Sequence, residues 1–144
     1  DMEDARTQMA YGLSVCDILK ISDNEIQWFS GKEDYTEGIH MLQQTYQIPL
    51  ILLSMGKDGS RAYYKDMLVE VPAFLQKNTI ETTGAGDTFG ACCLHHILKY
   101  GLDNLTKQQL KEMLTFANAA ASIITTRKGA LRVMPSLEEI QRLL

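Results

Sequence analysis

The hydrophobic pattern alternates between short apolar runs and longer stretches with helical periodicity. Residues 15–21 and 50–54 are rich in apolar side chains and predict strands. The second run is continuous, as is typical of a parallel sheet covered on both faces. Residues 61–64 and 67–71 predict two shorter strands that form a hairpin. Alternating strands and helices, without a repeat or a low-complexity segment, predict an α/β fold with a largely parallel sheet.

The stretches between these strands carry helix signals. Ser22, Ser30 and Thr106 are each followed three residues later by Glu or Gln, which is the spacing of a capping box. A further helix is apolar on nearly every face and is ended by Gly101. The predicted helices are 5–13, 22–29, 30–46, 90–100, 106–126 and a short last one from Ser136.

Composition narrows the class of protein. The 144 residues are 45% hydrophobic, no apolar run approaches the length of a membrane span, and the net charge of −4 comes without a basic stripe. We therefore expect neither a nucleic acid nor a membrane among the partners of this protein. Cys16, Cys92 and Cys93 lie in apolar surroundings and are odd in number, which indicates reduced thiols and a cytoplasmic location. Because the chain starts without methionine, we expect a piece of a longer protein.

The most informative stretch runs from Glu81 to Gly90. Gly84 and Gly86 have no side chain to block a ligand, and the amides at the start of the following helix attract an anion. Asp87 is the carboxylate at the centre of this stretch. An acid in a first helical turn is explained simply by the ~0.3–1 kcal/mol that it contributes to helix stability. The small residues before it favour phosphoryl transfer instead, which needs amide donors beside a carboxylate.

Two other phosphate-binding templates fit less well. A Walker A loop ends in Gly-Lys followed by Ser or Thr, and this ending is absent. The spacing of Gly84, Gly86 and Gly90 imitates a dinucleotide fingerprint, which follows a hydrophobic strand and precedes a second strand with an acid. Here residues 76–83 are polar, and the next element is another helix. The layout therefore disfavours a dinucleotide oxidoreductase.

Four stretches together resemble the ribokinase-like sugar kinases of the phosphofructokinase-B type, with bacterial fructokinases the most similar. They are 19–25 (LKISDNE), 54–60 (SMGKDGS), 82–89 (TTGAGDTF) and 116–121 with 127–130 (FANAAA and RKGA). The resemblance covers residues 15–144. It implies a ribokinase-like three-layer α/β fold with a mostly parallel sheet, and ATP-dependent phosphorylation of a sugar hydroxyl, with fructose as the indicated sugar.

The resemblance also implies that residues 1–144 are a single domain, the C-terminal nucleotide-binding and catalytic part of such a kinase. The sugar pocket and the lid of relatives come mostly from an N-terminal part that this chain lacks. We therefore expect the chain alone to be poorly active. Relatives form homodimers through that lid.

Individual roles follow from the same resemblance. Asp87 matches the base that accepts the proton of the attacking hydroxyl, and Gly84, Ala85 and Gly86 match the anion hole. Glu25 matches an acid that helps to organise magnesium. The positions that match nucleotide-binding residues are Ser22, Ser54, Met55, Gly56, Lys57, Asp58, Gly59, Gly86 and Asn118.

Several of these residues have a second interpretation that the sequence leaves open. Ser22 replaces the usual Asn of the family, so Ser22 and Glu25 also form an ordinary capping box. Asn118 matches a position that borders the adenine in relatives, but an Asn within a helix is more often packed or solvated. Residues 54–59 alone also fit a plain hairpin turn.

A potassium site of relatives gives a further set of matches, mostly through carbonyl oxygens. These are Glu81, Thr83, Ile124, Arg127, Gly129 and Val133. Glu81 stands where the family usually has Asp, and Val133 brings no side-chain oxygen.

A non-catalytic nucleotide-binding or regulatory module is the alternative function. A protein of this kind has no need of Asp87, so the intact Gly-Ala-Gly-Asp sequence argues against it.

Overall fold

The computed structural model describes all 144 residues. Helices cover both faces of one sheet. The helices are α1 (Met2–Val15), α2 (Asp23–Ser30), α3 (Tyr35–Thr45), α4 (Ala85–Tyr100), α5 (Lys107–Ile124) and α6 (Leu137–Leu143). The strands are β1 (Ile18–Ser22), β2 (Leu50–Ser54), β3 (Ser60–Tyr64) and β4 (Met67–Val71). None of the helices combines the length and the apolar character that crossing a membrane requires.

The sheet has the order β1-β2-β3-β4. β1 and β2 are parallel, with Ser22 opposite Ser54 at their carboxyl ends. β2 with β3 and β3 with β4 are antiparallel, because short turns can join only antiparallel strands. The α/β class is confirmed, and so is the hairpin at Lys65. Within these four strands the sheet is mixed: the predicted parallel arrangement holds for β1 with β2, and the hairpin adds two antiparallel pairings.

Side chains of β2 enter two separate cores. Leu50 and Leu52 pack with α4 and α5, and Ile51 and Leu53 pack with α2 and α3. All four are at most 1% exposed. Burial of one such side chain contributes about 1.5–3 kcal/mol, so this strand is a major source of stability. The continuous apolar run therefore correctly predicted a strand covered on both faces, and the result is the predicted three-layer arrangement.

The capping boxes at Ser22 and Thr106 are confirmed. Each hydroxyl accepts a hydrogen bond from the amide three residues later, and each side chain at that third position accepts one from the cap amide. The prediction at Ser30 is wrong. Ser30 is the last residue of α2, and its hydroxyl donates to the carbonyl of Ile26 at 2.7 Å. Gly31, at φ +70°, ends that helix in the left-handed conformation, and α3 begins only at Tyr35, capped by the residue before it.

Two other predicted boundaries differ from the structure. Val15 ends α1 instead of starting a strand, because Cys16 turns to an extended conformation before β1 begins at Ile18. α4 begins at Ala85, five residues before the predicted start and directly after Gly84, which caps it in the left-handed conformation. Asp87 therefore lies inside the helix, in its first turn.

The candidate functional site lies at the carboxyl ends of β1 and β2. In sheets of this class, ligands bind outside the carboxyl ends of the parallel strands, because the loops there are free to form a crevice. Ser22 and Ser54 mark this edge. α5 packs against α4 and against the β3–β4 hairpin. These three parts of the chain thus meet beside the candidate site.

Candidate active site

The start of α4 offers unpaired hydrogen-bond donors. The amide of Ala85 donates to the carbonyl of Thr82 at 3.1 Å, and that of Thr88 donates to Gly84 at 2.9 Å. The amides of Gly86 and Asp87, which lie between them, have no partner in the chain, and no side chain caps the helix. Orphan amides and the helix dipole add at this end of a 16-residue helix and favour an anion.

This pattern refines the predicted anion hole of Gly84, Ala85 and Gly86. The amide of Ala85 is already used by the turn, so the free donors are those of Gly86 and Asp87. Gly84 has a positional role instead: it caps the helix at φ +78°. A Cβ on it would lie 3.0 Å from the Cβ of Ala130 and 3.3 Å from the Cδ1 of Ile124. A residue without a side chain is therefore needed where the start of α4 meets the loop after α5.

The carboxylate of Asp87 is exposed beside these amides. It takes part in none of the ion pairs of the molecule. A carboxylate that is not engaged elsewhere can accept a proton from a hydroxyl that approaches an anion held by the amides. The free amides of Gly86 and Asp87 and the carboxylate of Asp87 thus belong to the same helical turn.

A cavity of about 280 Å³ opens on the inner side of this helix start. Four parts of the chain surround it: the turn after β2, the segment after β4, the start of α4 and one face of α5. Its lining residues are Ser54, Gly56, Lys57, Gly59, Ala73, Phe74, Leu75, Thr79, Thr82, Ala85, Gly86, Phe89, Asn118, Ala121, Ser122 and Thr125. Six of the predicted nucleotide-binding residues are among them: Ser54, Gly56, Lys57, Gly59, Gly86 and Asn118.

The other three predicted nucleotide-binding residues do not line this cavity. The side chain of Met55 is only 4% exposed and packs in the core with α2 and α3. Asp58 is exposed to solvent in the turn. The hydroxyl of Ser22 accepts the amide hydrogen of Glu25 at 3.2 Å, so it caps α2.

The turn between β2 and β3 is built for close backbone approach. The amide of Met55 donates to the carbonyl of Gly59 at 2.8 Å, which closes the turn over the short 3-10 segment Gly56–Asp58. Gly59 has φ +99° and ψ −142°, a conformation that is essentially restricted to glycine. The segment is therefore both a turn that joins two strands and one wall of the cavity.

Asn118 holds another wall in place. It is 7% exposed, and its amide nitrogen donates to the carbonyls of Val71 and Pro72 at 3.2 and 3.0 Å. Its oxygen accepts the hydroxyl of Ser60 at 2.9 Å. These bonds tie α5 to the chain that leaves β4. The structure thus favours a packed, positioning role for this side chain at the edge of the cavity.

Replacing Asn118 with Ala should lower the free energy of unfolding by about 2–3 kcal/mol, because it leaves buried polar groups without partners. Nucleotide affinity should fall as well, since the wall formed by residues 71–75 loses its attachment. The control is Asn24→Ala on the exposed surface of α2. Urea unfolding of both variants measures the difference, and equal small effects would contradict the positioning role.

Glu25 is engaged in the capping box. Its Oε2 accepts the amide hydrogen of Ser22 at 2.8 Å. This hydrogen bond is the main cause that lowers the pKa of Glu25, opposed by partial desolvation and assisted by the Ser22 hydroxyl and the charge of Lys20. The capping interpretation is confirmed. The magnesium role stays a prediction.

The lowered pKa gives a pH dependence with a definite sign. Stability from ionised Glu25 is present above its ordinary pKa of 4.5 and is lost as the pH falls through the lower folded value. We expect wild type to be more stable than Glu25→Gln at pH 7, with the gap closing at acid pH. Thermal unfolding of both proteins across this range measures the gap. Glu33→Gln is the exposed control, and a gap that stays constant down to pH 3 would refute the assignment.

Two loops are joined where the potassium matches lie. The amides of Ile80 and Glu81 donate to the carbonyl of Thr125 at 2.8 and 3.3 Å. The carboxylate of Glu81 accepts the amide hydrogen of Gly129 at 2.5 Å. The structure thus brings Glu81 and Gly129 together, while Thr83 remains exposed to solvent.

The other potassium matches have their side chains committed. The guanidinium of Arg127 donates to the carbonyl of Val133 at 2.9 Å and pairs with Glu139. The side chain of Ile124 is fully buried. Only backbone carbonyls of these residues could therefore face a cation, and the potassium site stays a prediction.

The segment after β4 also contributes to the cavity. Phe74, Leu75 and Thr79 line it, although no residue of the segment 72–79 was among the predicted site residues. Gln76 donates to the hydroxyl of Ser122 at 3.1 Å, which anchors this segment to α5. The available signal was the apolar pair Phe74-Leu75 within an otherwise polar connection.

Known proteins resemble this chain in both sequence and structure. The family model described as pfkB family carbohydrate kinase matches residues 1–137. A fructokinase of Klebsiella pneumoniae is 33% identical over 143 residues, 99% of this chain and 46% of that protein. Fructokinase-1 of Zea mays is 32% identical over 142 residues, 99% of this chain and 44% of that protein. The chain thus spans about half the length of these relatives.

Solved structures show the same fold. The fructokinase of Vibrio cholerae with fructose, ADP and calcium superposes with a TM-score of 0.87 at 24% identity, over 97% of this chain and 44% of that one. The ribokinase of Arabidopsis thaliana with ribose and ATP gives a TM-score of 0.76 at 26% identity, over 91% of this chain and 42% of that one. The predicted ribokinase-like fold is confirmed. The chain belongs to the pfkB family of carbohydrate kinases.

Proposed function

We propose that the protein containing this chain transfers the terminal phosphoryl group of ATP to a sugar hydroxyl, and that this chain supplies the nucleotide-binding and phosphoryl-transfer part. The observation that carries the proposal is the start of α4, where the unpartnered amides of Gly86 and Asp87 adjoin the free carboxylate of Asp87. Phosphoryl transfer needs this combination of donors for the developing charge and a carboxylate for the attacking hydroxyl.

The cavity beside the start of α4 is suited to hold the nucleotide. Phe74, Leu75 and Ala121 give it apolar walls that suit the faces of a purine. Gly86 is one of its lining residues, so a nucleotide bound there would direct its phosphates toward the amides of α4. The glycines of the turn after β2 let the backbone come close to the ligand.

Asp87 acts on the other side. It does not line the cavity, and its carboxylate is exposed to solvent, where an acceptor sugar can approach. As the hydroxyl attacks, Asp87 accepts its proton, and the two amides hold the charge that develops on the phosphoryl group. The base and the anion hole thus belong to one helical turn, which fixes their relative position.

Magnesium fits this donor set. No group of three or more His, Cys, Asp or Glu side chains forms a metal cage in the chain. Magnesium in phosphoryl-transfer sites is commonly held by one or two carboxylates together with phosphates and waters. The second carboxylate oxygen of Glu25 is the candidate protein ligand. When bound, the ion would neutralise phosphate charge.

Fructose is the sugar we propose, because several relatives that match nearly the whole chain are named fructokinases. We further propose that these 144 residues alone turn over poorly. The chain spans less than half of those relatives, and β1 has no strand on its outer side. We therefore propose that the residues that select the sugar belong to the part of the protein outside these 144 residues.

A panel of sugars tests the proposed function. The whole protein is incubated with ATP, magnesium and fructose, ribose, ketodeoxygluconate, tagatose phosphate or a nucleoside, and ADP formation is measured. Fructose should give the highest kcat/KM. ATP binding without ADP formation above background for any of them would contradict the proposal and favour the non-catalytic nucleotide-binding module.

A further inference from the structure

Lys20 occupies an unusual place in β1. Strand alternation puts it on the same face as Ile18, which packs with the core of α4 and α5. Its partner across the sheet is Leu52, a buried member of that core. Lys20 itself is half-buried. A lysine on a face of this kind extends its apolar stem along the core and needs water or an anion for its ammonium group.

The ammonium group ends at the start of α4. Its Nζ lies 3.1 Å from the position that a Cβ on Gly86 would occupy, and its Cε lies 3.7 Å from that position. No carboxylate is within 4.0 Å of the amine, since the ion pairs of the molecule join Arg61, Arg127 and Arg142 to glutamates. A positive charge without a partner therefore stands beside the unpartnered amide of Gly86.

We infer that Lys20 is a further catalytic residue of this site, whose ammonium group contacts the terminal phosphate of the nucleotide beside the amide of Gly86. The inference rests on the proposed function. Lysine binds phosphate as a compact point charge, and here its approach is fixed by the strand that carries it. This position of Lys20 also explains why residue 86 is a glycine, because a Cβ on Gly86 would crowd the amine of Lys20.

The positive charge of Lys20 would act during the transfer of the γ-phosphoryl group. A bond forms between the acceptor oxygen and the γ-phosphorus, the bond from that phosphorus to the β–γ bridging oxygen breaks, and ADP leaves. The proton of the hydroxyl passes to Asp87. Lys20 gains and loses no proton. It stabilises the negative charge on the phosphoryl oxygens during transfer, together with the amides of α4.

If Lys20 had a purely structural role, we would expect its ammonium group to form an ion pair within the chain. The positive charge of Lys20 contributes to lowering the pKa of Glu25. Yet the two groups form no ion pair, and the Glu25 carboxylate accepts the amide of Ser22 instead. Loss of the amine should thus leave the capping box intact.

The test compares Lys20→Met and Lys20→Arg in the whole protein, with Lys32→Met on the exposed loop after α2 as the control. Calorimetry measures the affinities for ATP, ADP and AMP. Lys20→Met should lose about tenfold or more in ATP affinity and leave AMP affinity unchanged, whereas Lys20→Arg, which keeps the positive charge, should retain more ATP affinity than Lys20→Met. Sugar-dependent kcat should fall about 100-fold in Lys20→Met. Lys20→Gln replaces the Met variant if that variant does not fold.

The outcomes separate the two proposals. ATP and AMP affinities that change by the same factor, or not at all, overturn the role of Lys20 even in an active kinase. Absence of sugar-dependent turnover in wild type overturns the proposed function, while the contrast between ATP and AMP still decides whether Lys20 meets the terminal phosphate. A wild-type protein that binds none of the three nucleotides overturns both.

Discussion

Replacing Asp87 with Asn should lower sugar-dependent turnover by about 10²–10⁴-fold, which is the usual contribution of a positioned general base. Asn keeps the size and the backbone of Asp in the first turn of α4. The amides of Gly86 and of residue 87 stay in place, so ATP affinity should remain within about threefold of wild type, as expected when only a transition-state contribution is removed.

Steady-state kinetics together with ATP calorimetry measure these two effects separately. The control is Asp66→Asn in the exposed turn between β3 and β4, which should leave both quantities unchanged. Near-normal turnover in Asp87→Asn would disprove the base assignment. Equal losses of turnover and ATP affinity would instead indicate that the carboxylate supports binding.

Replacing Gly59 with Ala should lower the free energy of unfolding by about 3 kcal/mol or more. A Cβ at this position would lie 2.2 Å from the carbonyl oxygen of Val71 and 2.8 Å from the Cα of Pro72. Both are backbone atoms that cannot move without disturbing β4 and the wall of the cavity. The φ of +99° adds strain to any residue with a side chain.

Gly12→Ala in α1 is the matched control, because a Cβ there meets nothing within 4 Å. Ala in an exposed helix should stabilise the protein by roughly 0.5–1 kcal/mol relative to Gly. Urea denaturation of the two variants should therefore give changes of opposite sign. Destabilisation of the same size at both positions would contradict the prediction that close backbone contacts make Gly59 irreplaceable.

Features that depend on local sequence were predictable. The capping box at Thr106 needs only two side chains three residues apart, and the apolar run 50–54 can be buried in only one kind of sheet environment. The same local pattern failed at Ser30, because Gly31 ends the preceding helix there and Ser30 belongs to that helix. A four-residue pattern does not show to which side of a glycine a helix extends.

Features that depend on distant contacts were not predictable. The hydrogen bonds of Asn118 join residues 46 to 58 positions apart, and they decide whether its amide is free for a ligand. The approach of Lys20 to Gly86 joins residues 66 positions apart, and it depends on where the fold places the start of α4. Which amides of the glycine stretch are free also depends on the turn at Thr82. The sequence predicted the region of the candidate site, and the packing determined which atoms in it are available.

The central claim is that the start of α4 receives the transferring phosphate. A crystal structure of the whole protein with a non-hydrolysable ATP analogue and magnesium tests it most directly. We predict the terminal phosphate within hydrogen-bond distance of the amides of Gly86 and Asp87, with the base in the cavity beside α5. Phosphates bound away from α4, with these two amides facing only water, would contradict the claim.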